Sequence, residues 1–219
     1  MTTMRTLAGI TLASMLLLTA ACGNDDDNSS LPAQPDQEVV DSVKQDSVMT
    51  DSVPSSSTTV AGHLTIKFDY THYPTLATGQ YAVWIENMNG KLVRTIFVTR
   101  FTARGGYQTR EDAIPTWVAK AKPAEMSSEE VDGVSGATPQ NGNQTYTWDG
   151  RDDKGNLLAA GDYRVCIEGT MYWASRVFYQ GTFTYGGAST KVKLTSTYSN
   201  DDSTNRDMLS NVSVKYTDE

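Results

Sequence analysis

The chain has 219 residues, a net charge of −8 and two cysteines. The acidity is uneven: residues 23–58 carry −7 and everything from Thr59 onward carries −2. A nearly neutral domain lacks the cation excess that nucleic-acid binding draws on, and two cysteines make no disulfide framework, so both classes are set aside.

Residues 1–21 read as a secretory signal: Arg5 supplies the positive start and Leu7–Ala21 an apolar run ending in the small residues Ala20 and Ala21. A membrane-spanning helix needs roughly 20 apolar residues, and this run is shorter, which favours cleavage over spanning. Leu18-Thr19-Ala20-Ala21-Cys22 resembles a bacterial lipobox, with Thr19 where leucine usually stands three residues before the cysteine. That resemblance implies a mature chain starting at a diacylated Cys22, held on the outer membrane by its lipid. The acids Asp25, Asp26 and Asp27 that follow are either a surface-export signal or the start of a solvated linker, so the periplasmic and cell-surface faces both stay open.

Residues 22–58 form an acidic tether. From Asn24 to Ser57 there is no aromatic residue and little else to bury, so chain entropy goes unopposed. Asp-Ser-Val recurs every five residues at Asp41, Asp46 and Asp51. The repeat resembles an acceptor motif of bacterial O-glycosylation, which makes Ser42, Ser47 and Ser52 candidate glycan sites; a plain spacer is the alternative.

From residue 59 to 219 the texture changes to period-two alternation. Leu64, Ile66, Phe68 and Tyr70 mark one buried strand face. Tyr81–Ile85 is apolar on both faces and reads as an interior strand, joined to Leu92–Phe101 across Asn89-Gly90, where both turn residues accept positive φ. One short helix is predicted from Pro115, with Trp117, Val118 and Ala121 on one face and Pro123 ending it. Further strands are predicted at Thr145–Trp148, Tyr163–Glu168, Arg176–Tyr185, Lys191–Tyr198 and Val212–Tyr216. The pattern specifies an all-β, immunoglobulin-like antiparallel β-sandwich with one short helix. Cys166 falls within a strand, where a small buried thiol is the ordinary outcome.

Trp148-Asp149-Gly150, with Asp152, Gly155, Ala160, Gly161 and Tyr163, resembles a hairpin of immunoglobulin-like domains related to flagellar hook-capping proteins. Its acids suit turn formation, since Arg151 interrupts the alternating oxygen ligands of a calcium loop. Together with Tyr81–Asn87, Gly90–Thr95 and Val134–Pro139, the hairpin makes the chain resemble domain of unknown function 2271, a periplasmic family, over about residues 62–186.

Within that stretch, Asp132, Ser135, Gly136, Ala137 and Thr138 look like the acceptor motif of exported flavoproteins, in which a flavin transferase esterifies FMN through its phosphate to the final threonine. The resemblance implies covalent FMN on Thr138, with Asp132 orienting or capping the loop and small residues at 136 and 137 leaving room for the enzyme. The motif is expected in a long Ser/Gly-rich connection between Pro123 and Gly142, with Tyr107, Trp117, Tyr172 and Trp173 as candidates to stack on the flavin ring. A tight turn of small residues is the alternative.

A self-contained catalyst is the least supported class: the histidines are His63 and His72, which leave a Ser-His-Asp site open, but no nucleophile elbow accompanies them and no metal-ligand spacing appears. Two functions compete. One is an FMN-bearing electron-transfer protein served by an exported flavin transferase and a redox partner protein. The other is a non-catalytic binding or structural module at the cell surface or in the periplasm.

Overall fold

Strand β1 (His63–Tyr70) sets the frame. Its even-numbered residues Leu64, Ile66, Phe68 and Tyr70 are buried and its odd-numbered ones face out, as the alternation requires. In the computed structural model the described residues are 62–73, 79–171, 175–199 and 206–218. The signal segment, Cys22, the tether, Ser42, Ser47 and Ser52 lie outside them.

The remaining strands are β2 (Gln80–Asn87), β3 (Leu92–Thr99), β4 (Ser135–Gly136), β5 (Gly142–Trp148), β6 (Gly161–Thr170), β7 (Arg176–Tyr185), β8 (Thr190–Lys191), β9 (Thr195–Tyr198) and β10 (Leu209–Thr217). They make a four-stranded sheet, β5-β1-β10-β8, and a six-stranded sheet, β4-β3-β2-β6-β7-β9. Every pairing is antiparallel except β3 with β4, a two-residue parallel contact. Leu64, Ile66, Phe68, Val214 and Tyr216 of the smaller sheet pack on Tyr81, Val83, Ile85, Val165, Ile167 and Phe183 of the larger one. The result is a β-sandwich, as the sequence specifies.

Strand β2 lies inside the larger sheet and is buried from Tyr81 to Ile85, because that sheet is covered on both faces. Its second face carries Ala82, Trp84, Val98 and Cys166, and a layer of short helices closes over them with Ala103, Ile114, Trp117 and Val131. Between β3 and β4 there are three short α-helices where the sequence predicts one: α1 (Arg100–Ala103), α2 (Pro115–Ala121) and α3 (Ser128–Val134). Helix α2 starts at the predicted proline and buries Trp117. No side chain caps it from within; instead the Glu168 carboxylate accepts from Thr116 N at 3.3 Å and Trp117 N at 3.0 Å.

The Asn89-Gly90 turn joins β2 to β3, with one correction. Gly90 alone takes a left-handed φ of 78°, while Asn87 O accepts from Gly90 N and Asn87 Oδ1 accepts from Asn89 N and Lys91 N, each at 3.0 Å. The asparagine anchoring the turn is Asn87, and the register slips by one residue at Glu86, as a bulged hairpin does. The strand predicted at Lys191–Tyr198 divides: Thr190–Lys191 joins β10 in one sheet and Thr195–Tyr198 joins β7 in the other. Val192 and Leu194 still turn toward the core, so the alternation there records burial at a crossing and not one continuous strand.

Candidate functional site

The segment predicted as a long loop between Pro123 and Gly142 is partly regular. Ser127 and Glu130 form a reciprocal capping box: Glu130 N donates to Ser127 Oγ at 3.2 Å, and Ser127 N donates to Glu130 Oε2 at 2.7 Å. The two acids of the first turn, Glu129 and Glu130, suit the positive end of the helix. Ser127-Ser128-Glu129-Glu130 is therefore a helix-start signal written locally in the sequence, and it places Asp132 on a helix where a loop is expected. Helix α3 packs Val131 on the layer below and ends where Ser135 and Gly136 pair with Val98 and Thr99 of β3.

This arrangement divides the motif between three settings. Asp132, still in the helix, projects into solvent and pairs with Arg104 (Nη2–Oδ1 2.5 Å), so it reaches back to the end of α1 and not to the amides of its own loop. Ser135 and Gly136 are held against the sheet edge. A Cβ on Gly136 would stand 2.7 Å from the Phe97 ring, which gives that glycine a packing role that the sequence did not disclose. The Ser135 hydroxyl is enclosed and meets no hydrogen-bond partner. Beyond the pairing, Ala137 is exposed and Thr138 half-buried, and among the described residues no hydrogen bond ties the Thr138 hydroxyl down. The far end of the loop is fixed again where His72 N donates to Asn141 Oδ1 at 2.5 Å.

Under Gly136 lies an aromatic floor. The Phe97 ring is 5.1 Å from those of Tyr81 and Tyr146, whose hydroxyls meet at 2.6 Å. Burial pushes the Tyr146 phenol up to about 12, and it raises Tyr81 as well. Tyr81 belongs to the core between the sheets, and Phe97 and Tyr146 pack on it half-buried, so the three rings support the loop from below.

Of the aromatics expected to stack on a flavin, Trp117 is excluded: it is fully buried beneath α2, and its Nε1 donates to Thr95 Oγ1 at 3.2 Å. Tyr172 and Trp173 lie outside the described residues. Tyr107 is half-buried and lines an open groove of about 460 Å³ with Arg104, Gln108, Met126 and Asp132. The groove thus brings together the motif acid, its cation and one aromatic ring.

Two other sequence expectations resolve into structure. Asp152 of the Trp148 hairpin accepts from Lys154 N at 2.9 Å and Asn156 N at 2.8 Å, and its bond to the Asn156 side chain comes first in holding its carboxyl below the usual range. Asp149 accepts from Arg151 N at 3.3 Å, and Asp153 from Thr95 N at 3.0 Å, which ties the hairpin to β3. The acids shape turns. Cys166 is buried in the helix-covered layer, and burial, followed by the nearby Glu86 carboxylate, pushes its thiol up and away from the thiolate form.

Among the described residues no helix is long and apolar enough to cross a membrane. No curated protein and no solved structure matches the chain. The family model described as "Predicted periplasmic protein (DUF2271)" matches residues 63–200, more than half the chain, and spans every strand from β1 to β9 together with the helical layer. The chain belongs to this family of predicted periplasmic proteins.

Proposed function

We propose that this protein is an exported electron carrier whose FMN is joined covalently to Thr138 by a separate flavin transferase and exchanges electrons with a redox partner protein. One observation carries the reading: the loop after β4 presents Thr138 with its hydroxyl untied, directly after a helix and strand pair that hold the preceding motif residues in place. An acceptor needs that combination, since the transferase must reach the hydroxyl while the chain on either side stays folded. In the transfer, Thr138 Oγ1 forms a bond to the FMN phosphorus of a flavin dinucleotide. The phosphoanhydride bond to AMP breaks, and the threonine proton leaves to a base on the transferase.

The residues present fit the group. Ala137 and Asp132 leave the approach open, and Arg104 and Tyr107 line a groove on the helix that leads into the loop. When bound, FMN supplies the redox chemistry; the chain's own part is to hold it and to screen one side of it. In the same reading, Cys22 carries the outer-membrane lipid anchor, and residues 22–58 form an acidic stalk with glycans at Ser42, Ser47 and Ser52. A non-catalytic binding module remains the second reading, and what favours it is the open lysine-bearing face of the four-stranded sheet.

Intact mass of the chain, exported with and without a flavin transferase, is the test. A gain equal to FMN less one water, absent from Thr138→Ala, is the expected result. Unchanged mass beside an active transferase, or an adduct that persists in Thr138→Ala, removes the flavin reading.

A further inference from the structure

The outer face of the four-stranded sheet is built from the outward residues of strands distant in sequence. Thr65 pairs with Thr147 on one side and Lys215 on the other, and Lys67 with Thr145 and Ser213. At the far edge Lys215 pairs directly with Lys191. A shallow groove of about 610 Å³ runs among Thr65, Lys67, Lys191, Ser213 and Lys215, and no carboxylate lines it.

The lysines of this face form no ion pair among the described residues. Eight cations elsewhere have carboxylate partners: Arg94, Arg104, Arg110, Lys120, Lys122, Arg151, Arg164 and Arg176. Among the described residues Lys67, Lys191 and Lys215 have none, and all three are exposed. Asp69 and Asp218, two and three residues from Lys67 and Lys215, are held by neutral donors and pair with no lysine among the described residues. Asp69 accepts from Asn211 Nδ2 at 2.7 Å and Asn143 Nδ2 at 3.3 Å, and Asp218 accepts from Ser189 N at 3.0 Å. Like charges directly opposite on neighbouring strands disfavour the fold, so the Lys191–Lys215 pair gains nothing for stability. Three lysines gathered on one surface of a nearly neutral domain point to an anion outside the fold.

We propose that this face docks on an anionic membrane surface, its three lysines pairing with lipid phosphates while the flanking threonines and serine exchange water for headgroup oxygens. A paired sheet face whose groove is lined mainly by short hydroxylated side chains and lysines, with His63 at one end, matches a planar array of phosphates. Each lysine near an anionic surface adds about five-fold to partitioning, too little in total to recruit a protein from dilute solution. It is enough to orient one already held there. The inference therefore rests on the reading of Cys22 as a lipid anchor. Docking by this face turns the helical layer, with Asp132 and Arg104, toward the aqueous side where a partner protein can reach it.

The test uses the mature chain coupled through Cys22 to a maleimide lipid in vesicles, so the outcome does not depend on acylation in the cell; Cys166 is buried and does not compete. Acetylation of each lysine by a reactive ester is followed by mass spectrometry. On vesicles containing phosphatidylglycerol, Lys67, Lys191 and Lys215 are expected to react about five-fold more slowly than on pure phosphatidylcholine, and 0.5 M salt restores the rate. Lys91 and Lys154, exposed elsewhere, keep their rates. In K67T/K215S, the protection of Lys191 is expected to fall to the level of Lys91. Equal rates for all lysines on both vesicles overturn the proposal, as does protection of the three by a soluble polyanion but not by anionic vesicles. The anchoring reading is checked separately, by the diacylglyceryl mass on Cys22 of the exported chain.

Discussion

The two outer faces of the sandwich treat charge in opposite ways. The six-stranded sheet is roofed by helices, and beneath them Glu86 and Glu168 are buried at 2 % and 0 % exposure. Each is satisfied several times over: Glu86 by Trp84 Nε1 at 2.7 Å and Lys120 Nζ at 3.0 Å, Glu168 by Arg176 Nε at 2.6 Å and two backbone amides of α2. A carboxylate withdrawn from water must recover its lost hydration from fixed donors, so under the roof every charge has a partner. Among the described residues nothing roofs the four-stranded sheet. Its lysines stay hydrated, and leaving them unpaired costs the fold little. Pairing is therefore a condition of folding on one face, whereas on the other the absence of pairs is free to serve an external anion.

The contrast makes graded predictions. Trp117→Ala removes the side chain that fills the space between α2 and the sheet, and it should cost about 4 kcal/mol in chemical denaturation. A loss below about 1 kcal/mol would mean that the helical layer is not part of the cooperative core. Arg176→Ala leaves Glu168 buried with only backbone donors and should cost about 3 kcal/mol. If Arg176→Ala melts like the wild type, the idea that the roof demands charge pairing is wrong. On the open face the sign reverses. Lys191→Thr relieves the repulsion with Lys215 and should raise stability by about 0.3 kcal/mol at low salt, an advantage that shrinks as salt is added. A clear destabilisation there would show that the lysine has a structural role. The flavin and membrane tests then separate what each face does from what it costs.

Part of the candidate site was legible in the sequence and part was not. The residue types of the motif, and the loop that carries Ala137 and Thr138, could be read directly. The capping box at Ser127 and Glu130 was equally local, and reading it would have placed Asp132 on a helix. Three features were out of reach because each joins residues far apart in the chain: the Arg104–Asp132 pair, the Phe97 ring against Gly136, and the burial of Trp117 that withdraws it from any ligand. Trp117 shows the limit well, since an aromatic on a short amphipathic helix has the same local pattern whether it lines a pocket or closes a core.

By itself the sequence determined most of the strands, the Asn-Gly hairpin, the helix that starts at Pro115 and the sandwich class, because alternation, turn chemistry and proline act over a few residues. Only the tertiary structure decided which sheet each strand joins, why residues 190–198 divide between the two sheets, and that Lys67, Lys191 and Lys215 share one surface. Cross-strand register is set by packing between segments separated in the chain, as where His63 pairs with Thr217, and no local pattern encodes it.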